Sequence, residues 1–428
     1  MENYSIVLFV MALMIGLSAI AGKIKIPYPI LLVSASIAIG FIPGMPEISL
    51  NPEIVFLIFL PPLLYDAAFN ISFNELKKNV ATVITLAIPL VFMTTSAIAV
   101  TVHYLIPALN WPLSFILGAI LSPPDAVAAT GITKGLGLSR RTLTILEGES
   151  LVNDASGLIA YRFAVAAIAG TGFTFWNAPL QFLVVVAGGS LVGIIIGTIL
   201  ATFLRQVYGN SLIAISAMAL APFIAYLSAE EFHVSGVLAV VVLGVTLSRY
   251  TNKLFPHQIK VQNKSFWEII IFLLNGLVFI LIGLEFPQVV NSIDHTYILP
   301  LIGYSFLISL IMLILRILWI FGHSNNLRKA AIWRTLNPEK RSFSLYSDER
   351  IDWKNSLIIG WSGMRGIVSL ASALALPLTL DNGTVFPHRD ILIFMSVIVV
   401  LITLIVQGLS LPLLVRVLKV EEELNSVN

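Results

Sequence analysis

The stretch "LSPPDAVAATG", residues 121–131, lies inside an apolar run long enough to cross a bilayer, yet it carries features that a continuous helix rejects. Pro123 and Pro124 remove two backbone donors and disfavour helical geometry in the residues before them. Asp125 follows at once, and a carboxylate at the bilayer centre costs roughly 2.5–3.5 kcal/mol on insertion scales. The stretch therefore reads as a discontinuous transmembrane helix whose freed backbone groups and charge face protein or a polar cavity.

The rest of the chain fits that reading. Its 428 residues are 57% hydrophobic and only 11% charged, far from the composition of a soluble globular domain. The expected class is an all-α polytopic membrane protein with no separate soluble domain. A hydrocarbon core about 30 Å thick needs about 20 apolar residues per helix, and such runs place spans near 4–22, 26–44, 53–71, 80–106, 112–133, 142–169, 178–204, 211–229, 233–249, 265–286, 296–322, 355–377 and 388–417, thirteen in all. The N-terminus "MENYSIVLFV" lacks a basic n-region, so span one reads as retained. The chain has no cysteine, which excludes disulfides, thiol chemistry and thiolate metal sites. The six histidines fall in loops or at span ends, which argues against a buried histidine metal cluster.

Loop charges orient the spans. Of 25 Lys and Arg residues, Arg162, Arg316 and Arg365 lie within spans, Arg389 lies in an opposite-side loop, and all the others fall on one side. By the positive-inside rule that side is cytoplasmic, with the N-terminus outside and the C-terminus inside. The net charge of +2, with basic residues confined to loops, argues against nucleic acid as a partner. The basic loop 323–354 reads as a solvated linker; the alternative is that "NLRKAAIWRTL" lies as an amphipathic helix on the membrane surface.

A second interruption appears in span twelve, where Gly360, Gly363 and Gly366 in "GWSGMRGIVS" weaken the helix around Arg365. With span seven as a linker, spans one to six and eight to thirteen form two six-helix halves, and the interrupted spans are each fifth in their half and oppositely directed. An inverted repeat predicts this arrangement, and such pairs mark substrate sites in transporters. The two halves show no residue-level similarity. Asp125 is expected at the positive end of the second half-helix of its own span, and Arg365 at the negative end of a half-helix in span twelve.

Span six carries "EGESLVNDASG", residues 147–157. Residues four apart share a helix face, so Ser150 and Asp154 project together, with Glu149 and Asn153 on the adjacent stripe. Hard cations take oxygen ligands, and Asp154, Ser150, Asp125 and carbonyls freed near Pro124 supply such a set. Glu149 lies about 10 Å from the inner end of its span at 1.5 Å per residue, and Arg316 in span eleven lies at similar depth. They are expected to form a structural ion pair that removes two insertion costs together. Asp66, in "LPPLLYDAAFN", has two readings: it faces the ion route, or it sits near the cytoplasmic end within reach of water. Arg162 is expected to snorkel outward, and Glu147, Glu268 and Glu285 to lie at the interface.

"SPPDAVAATGI", "LEGESLVNDASGL", "FHVSGVLAVVVLG" and "SGMRGIVSLA", in this order and spacing, resemble the cation/proton antiporter-1 family of sodium/proton exchangers over nearly the whole chain. The resemblance implies two inverted repeats whose discontinuous helices cross beside Asp154. It also implies a homodimer in which 1–79 and 211–290 form the dimerisation scaffold, 80–176 and 291–428 the transport core, and 177–210 a linker helix. By matching position, Asp154 would carry ion and proton, with Asp125 and Ser150 as companions. Asn153 would replace an aspartate of electrogenic relatives. Glu149 and Arg316 would match the structural pair, and Arg365 the arginine of the second break. Ala126 stands where relatives commonly have proline, and Pro124 where archaeal forms have threonine; the Pro-Pro-Asp-Ala form looks like a bacterial subgroup.

The function expected is secondary-active exchange of sodium, or else potassium or lithium, for protons, with no cofactor, in the cell membrane. A channel would need a continuous polar pore, whereas these carboxylates cluster at a repeat interface. No His-Glu-x-x-His, Gly-x-Ser-x-Gly or nucleotide loop points to an enzyme.

Overall fold

The computed structural model describes residues 2–24, 27–42, 52–125, 138–169, 178–207, 209–336, 352–380 and 383–418. Helices α1 (Glu2–Ile24), α2 (Tyr28–Gly40) and α3 (Pro52–Asn70) are followed by α4 (Phe73–Ala87) and α5 (Pro89–Leu105), which make one span bent at Pro89. Then come α6 (Trp111–Leu121), α7 (Arg140–Ala169), α8 (Ala178–Val207), α9 (Ser211–Glu231), α10 (Gly236–Leu254), α11 (His257–Ser292) and α12 (His295–Leu336). The last spans are α13 (Trp353–Trp361) with α14 (Ile367–Leu374), and α15 (Arg389–Thr403) continuing through a π turn, Leu404–Gly408, into α16 (Leu409–Val417). Each expected span corresponds to a helix or a broken pair. Among the described residues seven helices are long and apolar enough to cross a membrane by length and composition alone, and shorter apolar helices supply the rest.

Starts are set by side chains that accept the orphan N–H groups of first turns. Asn110 accepts from Leu113 N at 3.1 Å to open α6, and Ser235 from Leu238 N at 3.2 Å to open α10. Several expected boundaries move, among them the start of span ten, which lies at His257 rather than 265. The fourth span begins at Phe73 rather than 80, because Glu75, Lys77 and Lys78 extend the helix beyond its apolar stretch. The loop expected from 323 is helical to Leu336, since the sequence from His323 to Leu336 has good helix formers and contains no glycine or proline. Residues 337–351 lie outside the described residues.

The helices pack as two bundles. In one, α11 lies against α2 and α1, and α10 against α3, α8 and α9; in the other, α7 lies against α4 and α6, and α12 against α5, α13 and α15. The seam between them is lined by α3, α7, α11 and α14. Two charges expected at the lipid interface are instead paired across it. Arg162 on α7 binds Glu230 on α9 at 2.8 Å, and Glu285 on α11 lies 3.5 Å from Arg389 at the start of α15. Pairing within protein lowers the insertion cost that snorkelling would otherwise have to relieve.

Candidate functional site

Residues 122–125 and 362–366, the two interruptions, touch. Helix α6 ends before Ser122, leaving carbonyls without N–H partners and a partial negative charge. Arg365 answers this end: its Nε donates to Leu121 O at 2.7 Å and its Nη2 to Ser122 O at 3.2 Å, while Nη1 binds Gly363 O. Helix α14, in turn, begins with N–H groups that lack partners. Asp125 accepts from Ile367 N at 3.1 Å through Oδ2, and its own N–H donates to Met364 O at 2.7 Å. Each interruption therefore supplies the cap for the other.

This differs from expectation in a specific way. Arg365 does meet a carbonyl of its own span, at Gly363, but its two other guanidinium bonds go to span five. The second half of span five lies outside the described residues, and Asp125 caps α14 instead. Gly366 makes this approach feasible, because a Cβ there would overlap the Asp125 carboxylate. Gly157 plays the same part for α7, since a Cβ would collide with the Pro123 ring.

Beside the crossing, Asp154 is 7% exposed, and its carboxylate accepts no hydrogen bond from a described side chain. It lines a cavity of about 230 Å³ together with Asp125, Ser150, Asp66, Asn70 and Glu147, closed by apolar residues that include Leu63, Leu151, Ile271 and Ile367. The wall thus draws on both bundles. Of the expected ion ligands, Asp154, Asp125 and Ser150 meet there. Asn153 and Pro124 do not line it; Asn153 Nδ2 donates to Pro124 O at 3.2 Å, tying α7 to the first interruption.

Asp66 is a wall residue of the same cavity. It faces the cavity and accepts from Asn70 Nδ2 at 2.7 Å, one turn along α3. Glu147, expected at the interface, is a wall residue, and Asn70 was not singled out. The signal for Glu147 was available, because 147, 150 and 154 follow helical spacing and share a face. The pair Glu149–Arg316 forms as depth matching suggests: it is bidentate, with Nη2–Oε2 at 2.8 Å, and Arg316 Nε also donates to Ile359 O at 3.2 Å.

A family profile described as sodium/hydrogen exchanger, transmembrane, matches residues 8–417, and the chain belongs to that family. It is 36% identical over 424 residues to a sodium, potassium, lithium and rubidium/proton antiporter of Bacillus pumilus and 34% identical to one of Bacillus subtilis. These alignments cover 97% and 96% of this chain but 61% of each relative, so the chain spans less than two thirds of those proteins. It is 32% identical to the sodium/proton antiporter ApNhaP of Aphanothece halophytica, over 97% of this chain and 74% of that one. The fold is that of the sodium proton antiporter MjNhaP1 from Methanocaldococcus jannaschii, with a TM-score of 0.71 at 20% identity over 98% of this chain and all of that one. The chain is accordingly a multi-pass membrane protein with inverted six-helix repeats and crossing discontinuous helices.

Proposed function

We propose that the chain is a secondary-active antiporter that exchanges a monovalent cation for a proton by alternating access, with sodium, potassium and lithium as candidate cations. The observation that carries this is the placement of Asp154. Its carboxylate stands at the seam of the two bundles, in a cavity shared with Asp125 and Ser150, beside backbone groups exposed by two interrupted helices.

Oxygen donors of this kind suit a hard monovalent cation. A carboxylate that holds either a cation or a proton couples the two by competition: cation arrival displaces the proton, and protonation releases the cation. Movement of one bundle against the other would present the same site to the opposite face, provided the empty anionic carboxylate crosses rarely. Ser150 and Asp125 act in this scheme as companion ligands. Asp125 is already engaged with α14, so its charge also anchors the crossing. Asp66, Asn70 and Glu147 form the approach, where acidic groups raise the local cation concentration.

The packing supports a division into a scaffold that includes α1–α3 and α9–α11 and a moving core that includes α4–α7 and α12–α16. In that reading the scaffold pairs two copies as a homodimer, and loop charges place the N-terminus outside the cell membrane. The names of the Bacillus relatives support a broad set of cations rather than sodium alone. Proteoliposomes holding an internal pH dye test the proposal: sodium, potassium and lithium are added in turn, and at least one should drive proton movement. No response to any of them would overturn it.

A further inference from the structure

We infer that Arg162–Glu230 and Arg389–Glu285 form the closure on the side of Asp154 opposite the carboxylate cavity, and that breaking these pairs opens the site to that side. This rests on the antiport reading for its meaning, but not for its test.

The geometry starts on α7. Asp154, Leu158 and Arg162 are spaced by four and share one stripe. The α7 residues that line the cavity, Glu147, Ser150, Leu151 and Asp154, extend only toward the N-terminal end of that helix. Arg162 lies two turns the other way, roughly 12 Å at 1.5 Å per residue. Between them, Leu158 is buried in the apolar cluster that also contains Leu60, Leu64 and Tyr226, and Tyr161 packs edge-on against Phe56. The seam beyond Asp154 is thus apolar first and ionic farther out.

Each pair has one partner fixed within its own bundle. Glu230 Oε1 accepts from Gly236 N at 3.1 Å, so the carboxylate is anchored at the α9–α10 turn before Arg162 reaches it. Arg162 Nη2 also donates to Tyr226 OH at 3.4 Å. In the second pair the arginine is the anchored member: Arg389 Nε donates to Leu376 O at 3.1 Å and Nη2 to Leu374 O at 3.1 Å, capping the end of α14. Tyr161 OH donates to Ala375 O at 3.1 Å, which places both pairs at one level of the molecule.

The remaining ion pairs among the described residues do not cross the seam. Glu75–Lys78 and Lys264–Glu268 each lie within one helix, and Glu149–Arg316 joins two helices of the same bundle. Among the described residues, the ion pairs seen to cross the seam thus lie on the side opposite the cavity. Since each contact has a member held by its own bundle, sliding of the bundles separates charges without unravelling either anchor.

The test uses the absence of cysteine from the chain. Leu158→Cys introduces a single thiol between Asp154 and the ionic layer. Its labelling by a membrane-impermeant maleimide is timed from each face of oriented vesicles, with and without Glu230→Gln, Glu285→Gln, or both. Arg162–Glu230 is partly exposed and such a pair is worth at most about 1 kcal/mol, so Glu230→Gln should speed labelling from the far side roughly two- to fivefold and slow it from the cavity side. Arg389–Glu285 is largely buried, so Glu285→Gln should shift both rates in the same directions by more. The reversed pair Arg162→Glu with Glu230→Arg should return both rates toward the original. Tyr226→Phe, which removes one long contact, supplies a mild variant whose small shift should have the same direction. Unchanged rates in variants with normal elution and melting would overturn the inference. So would equal acceleration from both faces, which marks general loosening. Labelling requires no transport, so failure here is separable from failure of proton movement by the unsubstituted chain.

Discussion

Removing either member of Glu149–Arg316 should destabilise the protein, and the two losses should be unequal. Both side chains are almost wholly buried, and the pair is bidentate. Truncating one partner of such a pair strands the other at a cost of about 3–5 kcal/mol. Arg365 breaks the symmetry. It lies within electrostatic reach of both residues, and a Cβ at Gly363 would touch Arg316 and Arg365 together. Glu149→Ala leaves two buried guanidinium groups without the carboxylate near them, so its loss should fall at the upper end of that range. Arg316→Ala leaves Glu149 with Arg365 nearby, and should fall at the lower end. The double replacement strands neither partner, so it should lose less than the sum by about 3 kcal/mol or more. Melting in detergent, followed by fluorescence-detected elution, reads these as midpoint shifts. Unfolding entropy scales to about 1 °C per kcal/mol for a chain this long, which gives single shifts of about 3–5 °C. Additive shifts would refute the pairing, and a larger loss for Arg316→Ala would refute the role given to Arg365.

Asp154→Asn should abolish coupled exchange while leaving melting and elution unchanged, because the amide keeps the shape and loses the titrating oxygen; exchange in a folded variant would remove Asp154 as carrier. Gly366→Ala should push Asp125 off the α14 N-terminus, weakening cation affinity about tenfold or more, as expected when a charge-assisted bond of roughly 1.5–3 kcal/mol is lost. Titration of the cation response measures it, and unchanged affinity would show that Asp125 serves only elsewhere. Asn153 offers no second titrating carboxylate beside Asp154, so exchange should be one cation for one proton; an imposed potassium–valinomycin potential should not shift the steady-state pH gradient driven by sodium, and a shift would require a second proton carrier.

The spans were legible because lipid demands length and apolarity. The stripe Ser150–Asp154 and the buried pair Glu149–Arg316 followed from helical period and depth, both one-dimensional quantities. What failed needed lateral neighbours. Arg162 reads as a snorkelling charge until Glu230 is known to lie beside it, and Glu285 reads as interfacial until Arg389 is placed. Arg365 could be assigned to a helix end, but not to one lying about 240 residues away along the chain. Asp66 stayed open for the same reason, since a position near a span end does not say which way the side chain points. The end of α12 had two readings because charged residues that suit a loop suit a helix equally well.

The reciprocal capping of the two interruptions also has a consequence for biosynthesis. When the first half of the chain enters the membrane, the carbonyls of Leu121 and Ser122 must wait for Arg365, which has yet to leave the ribosome. Asp125 likewise waits for the N–H of Ile367. During that interval the nascent first repeat carries uncapped backbone groups at bilayer depth, each costing several kcal/mol where water is absent. The first half should therefore remain hydrated or be shielded by insertion machinery until the second arrives, and the two repeats should become stable together, although one is made well before the other.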